Sequence, residues 1–501
     1  MRTVTGGAGV AAAVRLAEGE PVGAVLPDDD PAAWIALDAG VRQRVWQEDD
    51  GVGRHPWAVT EGGRAVLAAL HRRPARRLTA FLRRAKPPAE PALTALTEPQ
   101  LALALCHWDG RNRQAALEQA AGHPALLPLV VLRSADWAPQ VHEPARLLLT
   151  AALDARTAVR LTPLILRLRR RGRGDFAAGL ADRLLRAAPP EFLTPLYTDP
   201  DRAVRRYAHR LAVDGRHLSA AELARTAARD PDTIVQNLCA DAAVAALTDG
   251  GEQDGVLDLL LGARGPQVRA AGVTALRRAG RTERAVGFLA DRSGVVRACA
   301  RYVVRQGGGD PLPWYRERCA EPEGLPPGAV IGLAECGERA DAAVLGTLLG
   351  HPVAGVRARA VAGLRTLDVT DVRRLRPMLD DPAPAVVREV TAALLPSAGD
   401  VPEEDLTERL DAGRPRHVRV AAFRLLEAHG GIVRLRAGVA ALDDPDERIR
   451  EWARQSVQGW HARGDVPREA VAEAGALLDR SAHLFSAYAL RLRKWEAGVP
   501  I

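Results

Sequence analysis

The sequence predicts an all-α chain: an α-α superhelix, or solenoid, of about a dozen stacked helix pairs. Three observations predict it. A short pattern recurs at a spacing near 31 residues: an Asp-Pro turn, then Val/Ile-Arg, then a small residue. Inside each copy the apolar residues fall at helical spacing. The hydrophobic content, 47%, is mostly Ala, Leu and Val, with aromatics at only 4%. Alanine and leucine suit close-packed helices better than sheets, and the scarcity of aromatics also argues against sheets.

The repeat is plainest in TDPDRAVRRYAHRLAV (198–213), DDPAPAVVREVTAALL (380–395) and DDPDERIREWARQSVQGW (443–460). Aligned on the Val/Ile-Arg pair, the register runs Val204-Arg205, Val235-Gln236, Val268-Arg269, Val296-Arg297, Val356-Arg357, Val387-Arg388, Val418-Arg419 and Ile449-Arg450. The spacings are 31, 33, 28, 60, 31, 31 and 31. The 60 holds two units, with GAVIGLAECG (328–337) as a degenerate middle copy. Upstream, Val141-His142 lies 63 residues before Val204, again two units, and DGRNRQAALEQAAGH (109–123) resembles one more copy. Near the end, His483-Leu484 falls one unit after Ile449.

A period of about 31 residues accommodates two short helices and two turns. In VRRYAHRLAV the apolar positions are Val204, Tyr207, Ala208 and Leu211, the i, i+3, i+4, i+7 pattern of one helix face. The Asp-Pro preceding it is expected to give an N-cap carboxylate and a proline at the first helical position. Glycine follows the second helix in RRAG (277–280), RQGGG (305–309) and AHGG (428–431), a helix-stop signal. One such pair cannot bury both of its faces, so neighbours stack and share a continuous core.

The D-P-x-x-x-V-R-x-x-A pattern at Asp199 to Ala208, and with Ile for Val at Asp444 to Ala453, resembles HEAT repeats. The likeness is to the short bacterial type also found in phycobilin-lyase-like proteins, with an armadillo-type superhelix, and it covers roughly residues 100–495. The resemblance implies a structural role for the repeated arginine, pairing with the turn aspartate of its own or the next unit. That role falls on Arg205, Arg269, Arg297, Arg357, Arg388, Arg419 and Arg450.

The N-terminal residues differ. Residues 1–60 are expected to form an irregular capping region before a solenoid over 61–501. Residues 1–50 carry nine acids against four arginines, and Gly and Pro interrupt them; the good helix candidate is DPAAWIALDAGVRQRVWQ (30–47). Residues 54–86 swing to a net charge of +8, and KPPAEP (86–91) reads as a linker or turn.

Composition excludes several chemistries. The only lysines are Lys86 and Lys494, and no Gly-Lys pair exists, so there is no phosphate-binding loop of the Walker A type. The five cysteines, Cys106, Cys239, Cys299, Cys319 and Cys336, form no C-x-x-C pair, which argues against a disulfide framework or a structural zinc site. A reducing, cytoplasmic setting is expected. No stretch approaches the length of a membrane span. In GGAGVAAA (6–13), Gly7, Gly9 and Ala12 spell G-x-G-x-x-A, but only MRTVT precedes it and no βαβ pattern follows. HEPAR (142–146) has Arg146 where a metalloprotease helix needs its second His. No cofactor or metal is expected. Some HEAT-like proteins are DNA glycosylases that use Trp, Asp and Arg in a groove. The matching residue types here are Trp108-Asp109, Asp136-Trp137, Trp452 and Trp460, in motifs that do not match closely.

Arginine is the stronger functional signal. Segment 54–86 includes Arg72, Arg73, Arg76, Arg77, Arg83 and Arg84, and LRLRRRGRGDF (166–176) holds Arg167, Arg169, Arg170, Arg171 and Arg173. These are the candidates for gripping an anionic partner, because guanidinium binds carboxylate and phosphate in two-pronged fashion. The leading expectation is a non-catalytic scaffold or adaptor that binds an acidic protein or peptide on its concave face. The alternative is a nucleic-acid-binding solenoid that uses the Arg-rich segments against phosphates.

Overall fold

The computed structural model describes residues 4–27, 30–43, 45–46, 53–71, 96–170, 172, 174–247, 253–321, 323–462 and 466–500. These are all-α apart from one two-residue antiparallel pair, Val45–Trp46 with Gly53–Arg54. No helix among them is long and apolar enough to cross a membrane. The chain divides into two compact units, Met1–Leu247 and Thr248–Ile501.

The first unit opens with helices Val4–Ala17 and Pro31–Arg42 packed against each other. Asp30 caps the second, accepting from Ala32 N at 2.8 Å, and Pro31 starts its first turn. The two backbones touch at Gly9 and Gly40. A Cβ on Gly9 would sit 1.9 Å from the Ala36 carbonyl oxygen, and one on Gly40 would sit 2.2 Å from the Gly9 carbonyl carbon. Gly9 and Gly40 are therefore helix-contact residues, whereas Gly7, Gly19 and Gly23 face open space. Trp34, Leu37 and Leu16 fill the space beside them and are buried. The first sixty residues belong to the same unit as the repeats that follow, and the division falls at Leu247/Thr248.

Beyond them the two-helix pattern recurs in each unit. In the first unit the second helices of the pairs are Gly110–Ala120, Pro139–Ala152, Asp175–Ala187, Arg202–Asp214 and Thr233–Ala245. In the second they are Pro266–Arg278, Gly294–Gln306, Pro327–Cys336, Ala354–Thr366, Pro384–Leu394, Arg416–His429 and Glu447–Gln458. The first helices are often shorter, and Thr282–Phe288 is wholly 3-10. Each second helix buries the stripe expected of it: Val204, Ala208 and Leu211 in one, Ile449, Ala453 and Val457 in another. Burying each such Val, Leu or Ile is worth about 1.5–3 kcal/mol. Gly280 and Gly430 take left-handed backbone, φ 66° and 74°, where these helices stop.

The turn differs from the expected cap. The N-cap of Arg202–Asp214 is Asp201, two residues past the Asp of Asp-Pro, and it accepts from Ala203 N at 2.9 Å. Asp199 instead accepts from Asp201 N at 2.7 Å, closing a tight turn around Pro200. The same two-residue bridge recurs at Asp230, Asp291, Asp381 and Asp444. The Nδ1 atoms of His107 and His351 accept in the same way at their turns. Proline therefore stands before the N-cap, where its lost N–H costs nothing.

Candidate functional site

The repeated arginine grows out of that turn. It lies six residues after the residue that opens the turn, which is Asp199, Ala263, Asp291, His351 or Asp444 in successive copies, so one helical turn brings its guanidinium back over the turn. Nη1 of Arg205 donates to the Asp199 carbonyl at 2.8 Å, Arg269 to Ala263 at 2.9 Å, Arg357 to His351 at 2.8 Å and Arg450 to Asp444 at 2.6 Å. In most of them the other edge of the guanidinium reaches the turn aspartate of the following repeat, whereas in Arg450 it turns to Glu447 of its own helix. Arg269 meets Asp291 at 2.9 and 2.8 Å, Arg357 meets Asp381 at 2.8 and 2.9 Å, and Arg419 meets Asp444 at 2.8 and 3.1 Å. Arg205 meets Asp230 at 3.2 Å. The degenerate middle copy has no turn aspartate to offer, and Glu335 from its helix takes Arg297 and Arg301 instead. Where arginine is replaced, the bond to the own turn survives. Gln236 Nε2 donates to the Asp230 carbonyl at 2.6 Å, and His142 Nδ1 bonds the Asp136 carbonyl at 2.9 Å.

Arg388 is the exception and corrects the register. In DDPAPAVVREV the residue six after Asp381 is Val387, which is buried, and Arg388 is one further. One residue turns a helix by about 100°. Arg388 therefore points to solvent and makes no ladder bond among the described residues. Two of the 31-residue spacings come from this slipped alignment; in the structural register Val386 is the core residue. The last copy shifts too. His483 and Leu484 lie in a 3-10 turn, and the final helix, Ala487–Glu496, begins at the cap Ser486.

The Val-Arg alignment missed one rung. Arg113 is buried, pairs with Asp136 at 3.0 and 3.1 Å, and donates to the His107 carbonyl at 2.8 Å. The signal was present: Arg113 follows its N-cap Asp109 by four residues, as Arg205 follows Asp201. Arg133 extends this rung, bridging Asp136 at 3.0 Å and Asp38 of the N-terminal hairpin at 2.5 Å. The flanking arginines hold the Asp136 carboxyl below its usual range against the opposing effect of burial.

The ladder consumes the repeated arginines, leaving the Arg-rich segments as the candidates for a partner. Arg72, Arg73, Arg76, Arg77, Arg83 and Arg84 lie outside the described residues, as do Arg171 and Arg173. The other members of the second cluster sit at the C-terminal end of helix Ala155–Arg169, where the helix dipole favours cations. They face carboxylates at long range: Arg167 and Arg170 lie 4.0 and 3.8 Å from Asp201, and Arg169 lies 3.7 Å from Asp175.

Arg169 lines a cleft of about 380 Å³ between helices Asp175–Ala187 and Arg202–Asp214. Asp182 and Arg186 stand on one wall, Tyr207 and Arg210 on the other, and Ala178 and Gly179 leave the space open. Arg186 is committed to Asp182 at 2.8 Å and Asp214 at 3.1 Å. Arg210 is exposed and makes no ion pair or hydrogen bond among the described residues. The Tyr207 hydroxyl is buried without a hydrogen-bond partner. Burial, then the nearby Asp182, push its phenol pKa up, so it stands as a protonated donor. The helical periodicity counted Tyr207 with the core; it is only half-buried, and it lines this cleft.

Most residues matching the glycosylase types have local duties. Asp109 caps a helix and Asp136 carries Arg113. Trp108 stacks on His55 with ring centroids 3.9 Å apart. Trp452 lies under the Arg448 guanidinium, and the buried Trp460 donates to the Gly431 carbonyl at 2.7 Å. Trp137 is 70% exposed. Gly7, Gly9 and Ala12 sit inside helix Val4–Ala17, whose helical hydrogen bonds occupy the amides a pyrophosphate would need. All five cysteines are free thiols. No group of three metal-ligating side chains converges among the described residues.

No protein-family model and no curated protein sequence matches the chain. Solved structures similar to it include Kap121p bound to Nup53p, at 12% identity and a TM-score of 0.32, covering 79% of this chain and 54% of that one. A second structure of Kap121p matches at 12% identity and a TM-score of 0.25, covering 94% and 55%. An engineered protein matches at 16% identity and a TM-score of 0.17, covering 79% and 97%. The chain spans about half the length of the Kap121p chains it matches. Superpositions this loose transfer neither partner nor activity to the chain.

Proposed function

We propose that the protein is a non-catalytic helical-repeat scaffold that binds an acidic protein or peptide on its concave face. The observation that carries this reading is the division of labour among the arginines. Those of the ladder are bonded to the protein's own turns, whereas Arg210 at the cleft has no acidic partner among the described residues. A repeat stack offers a long surface on which such a basic cleft engages one part of an extended partner. The mixed lining favours peptide over nucleic acid. Asp175 and Asp182 share the cleft with three arginines, and Asp214 pairs with Arg186 from its edge. A phosphate backbone needs a positive track without interleaved carboxylates; a peptide presents acids and N–H donors together.

The test is fluorescence anisotropy of the full chain with a labelled Glu-rich peptide, labelled duplex DNA and single-stranded RNA, each at two salt concentrations. Peptide binding with little nucleic-acid affinity is the expected result. Tight, steeply salt-dependent binding of DNA or RNA would replace this reading with the nucleic-acid one. Turnover of any substrate, abolished by one polar substitution, would overturn the scaffold.

A further inference from the structure

The structure assigns the cleft between helices Asp175–Ala187 and Arg202–Asp214 as a receptor for one carboxylate of the partner, with Arg210 and Tyr207 as its donors. This rests on the scaffold reading above and adds the chemistry of the contact. Tyr207 and Arg210 are i and i+3 on one helix, so they project to the same side. The hydroxyl is buried and makes no direct hydrogen bond among the described residues, although Asp182 stands close enough to raise its pKa. Such a group carries an unrecovered desolvation cost until an acceptor arrives. Arg210 supplies an uncommitted guanidinium fork beside it, and Arg169 stands at the rim. Two oxygens of a carboxylate satisfy both a guanidinium and a hydroxyl at once.

The charge count selects carboxylate over phosphate. Three arginines face two aspartates in the lining, and Asp214 pairs with Arg186 from its edge, so Arg210 is the guanidinium left without an acid among the described residues. Arg186 is already shared between Asp182 and Asp214. A monoanion balances what is left. A dianionic phosphate would press a second charge against Asp182 and Asp175. The small side chains of Ala178 and Gly179 leave depth for an Asp or Glu side chain, or for a chain-terminal carboxylate, to enter.

Tyr207→Phe provides the sharpest test, because it removes one unpaired hydroxyl and leaves the ring. Its free protein is expected to melt at or above the temperature of the unaltered chain, while its affinity for a labelled Glu-rich peptide falls about tenfold, the loss of one hydrogen bond to a charged group. Arg210→Ala is expected to weaken the peptide at least as much, and Arg388→Ala to leave it unchanged. Competition with free-acid and C-terminally amidated forms of the peptide separates terminal from side-chain carboxylate. If no Glu-rich peptide binds the unaltered chain, the scaffold reading itself has failed. If the peptide binds and both cleft variants bind it equally well, the scaffold stands and the receptor is wrong. Displacement of the peptide by millimolar inorganic phosphate, at concentrations where acetate has no effect, would overturn the choice of carboxylate.

Discussion

Arg419 and Asp444, 25 residues apart, form a two-pronged ion pair, with Nε and Nη2 at 2.8 and 3.1 Å from the carboxylate oxygens. Their side chains are 7% and 3% exposed. The remaining Nη1 donates to the Arg414 carbonyl at 2.6 Å, so the fork is saturated. Asp444 in turn accepts from Asp446 N at 2.7 Å. One guanidinium thus ties its own turn to the next and sets the spacing between repeats. A buried pair of this kind gives little net stability over an apolar replacement, but losing one partner strands a charge.

That asymmetry sets the first prediction. Arg419→Ala should destabilise the protein by about 3–5 kcal/mol, and a double replacement of Arg419 and Asp444 by leucine should recover part of it. Arg388→Ala should stay within about 0.5 kcal/mol, as a solvent-facing change. Urea unfolding of the three variants measures this. Equal losses at Arg388 and Arg419 would mean that Arg388 also serves as a rung.

Gly9 and Gly40 carry the second. A methyl at either position meets backbone rather than a side chain able to move, at 1.9 and 2.2 Å. Gly9→Ala or Gly40→Ala should force helices Val4–Ala17 and Pro31–Arg42 apart and cost at least about 1–3 kcal/mol. Gly7→Ala, with nothing within 4 Å of the added carbon, should be neutral or slightly stabilising. Limited proteolysis near residue 30 reads the difference; equal protection in all three variants contradicts it.

Acidity should act on the first unit in two steps. Burial lowers the His209 pKa below its ordinary 6.5. The unfolded chain therefore takes up that proton first, and stability falls as pH drops through about 6.5. Hydrogen bonds from Arg206 hold the Asp232 carboxyl at about 2, below its ordinary 3.8. Its contribution is complete above about pH 4 and is lost as pH falls from there toward 2. His209→Gln should flatten the first step and Asp232→Asn the second, followed by urea midpoints across the range. Unchanged pH slopes in both variants would show that other groups control acid unfolding.

Thiol chemistry should rank the cysteines. Cys239 and Cys319 are buried, and burial pushes both thiols up to about 12, while Cys106 is fully buried. Cys299 is only partly buried. Brief alkylation at mildly alkaline pH, read by peptide mass spectrometry, should mark Cys299 first and spare these three. Early modification of Cys106 would mean that the N-terminal hairpin opens readily.

Sequence alone determined what is local. The two-helix period, the tight Asp-Pro turn, the buried Val-x-x-x-Ala stripe and the glycine stops all depend on neighbours within a few residues, and these were legible. Tertiary structure decided what depends on phase and on distance along the chain. The slip at Arg388 turns one side chain by about 100° and removes it from a ladder in which spacing alone includes it. Glu335 took over for a missing aspartate because its helix brings it to Arg297 across 38 residues. Gly9 stands in a stretch that reads as irregular and Gly40 inside a helix candidate, and only the packed backbones show that both positions need the missing side chain. The cleft was half-visible: Arg169 stands out in its cluster, but Tyr207 falls with the core positions and Arg210 carries no signal of its own. No periodicity records that Asp182 and Tyr207 face each other across two helices, because that contact is set by how the turns stack the repeats.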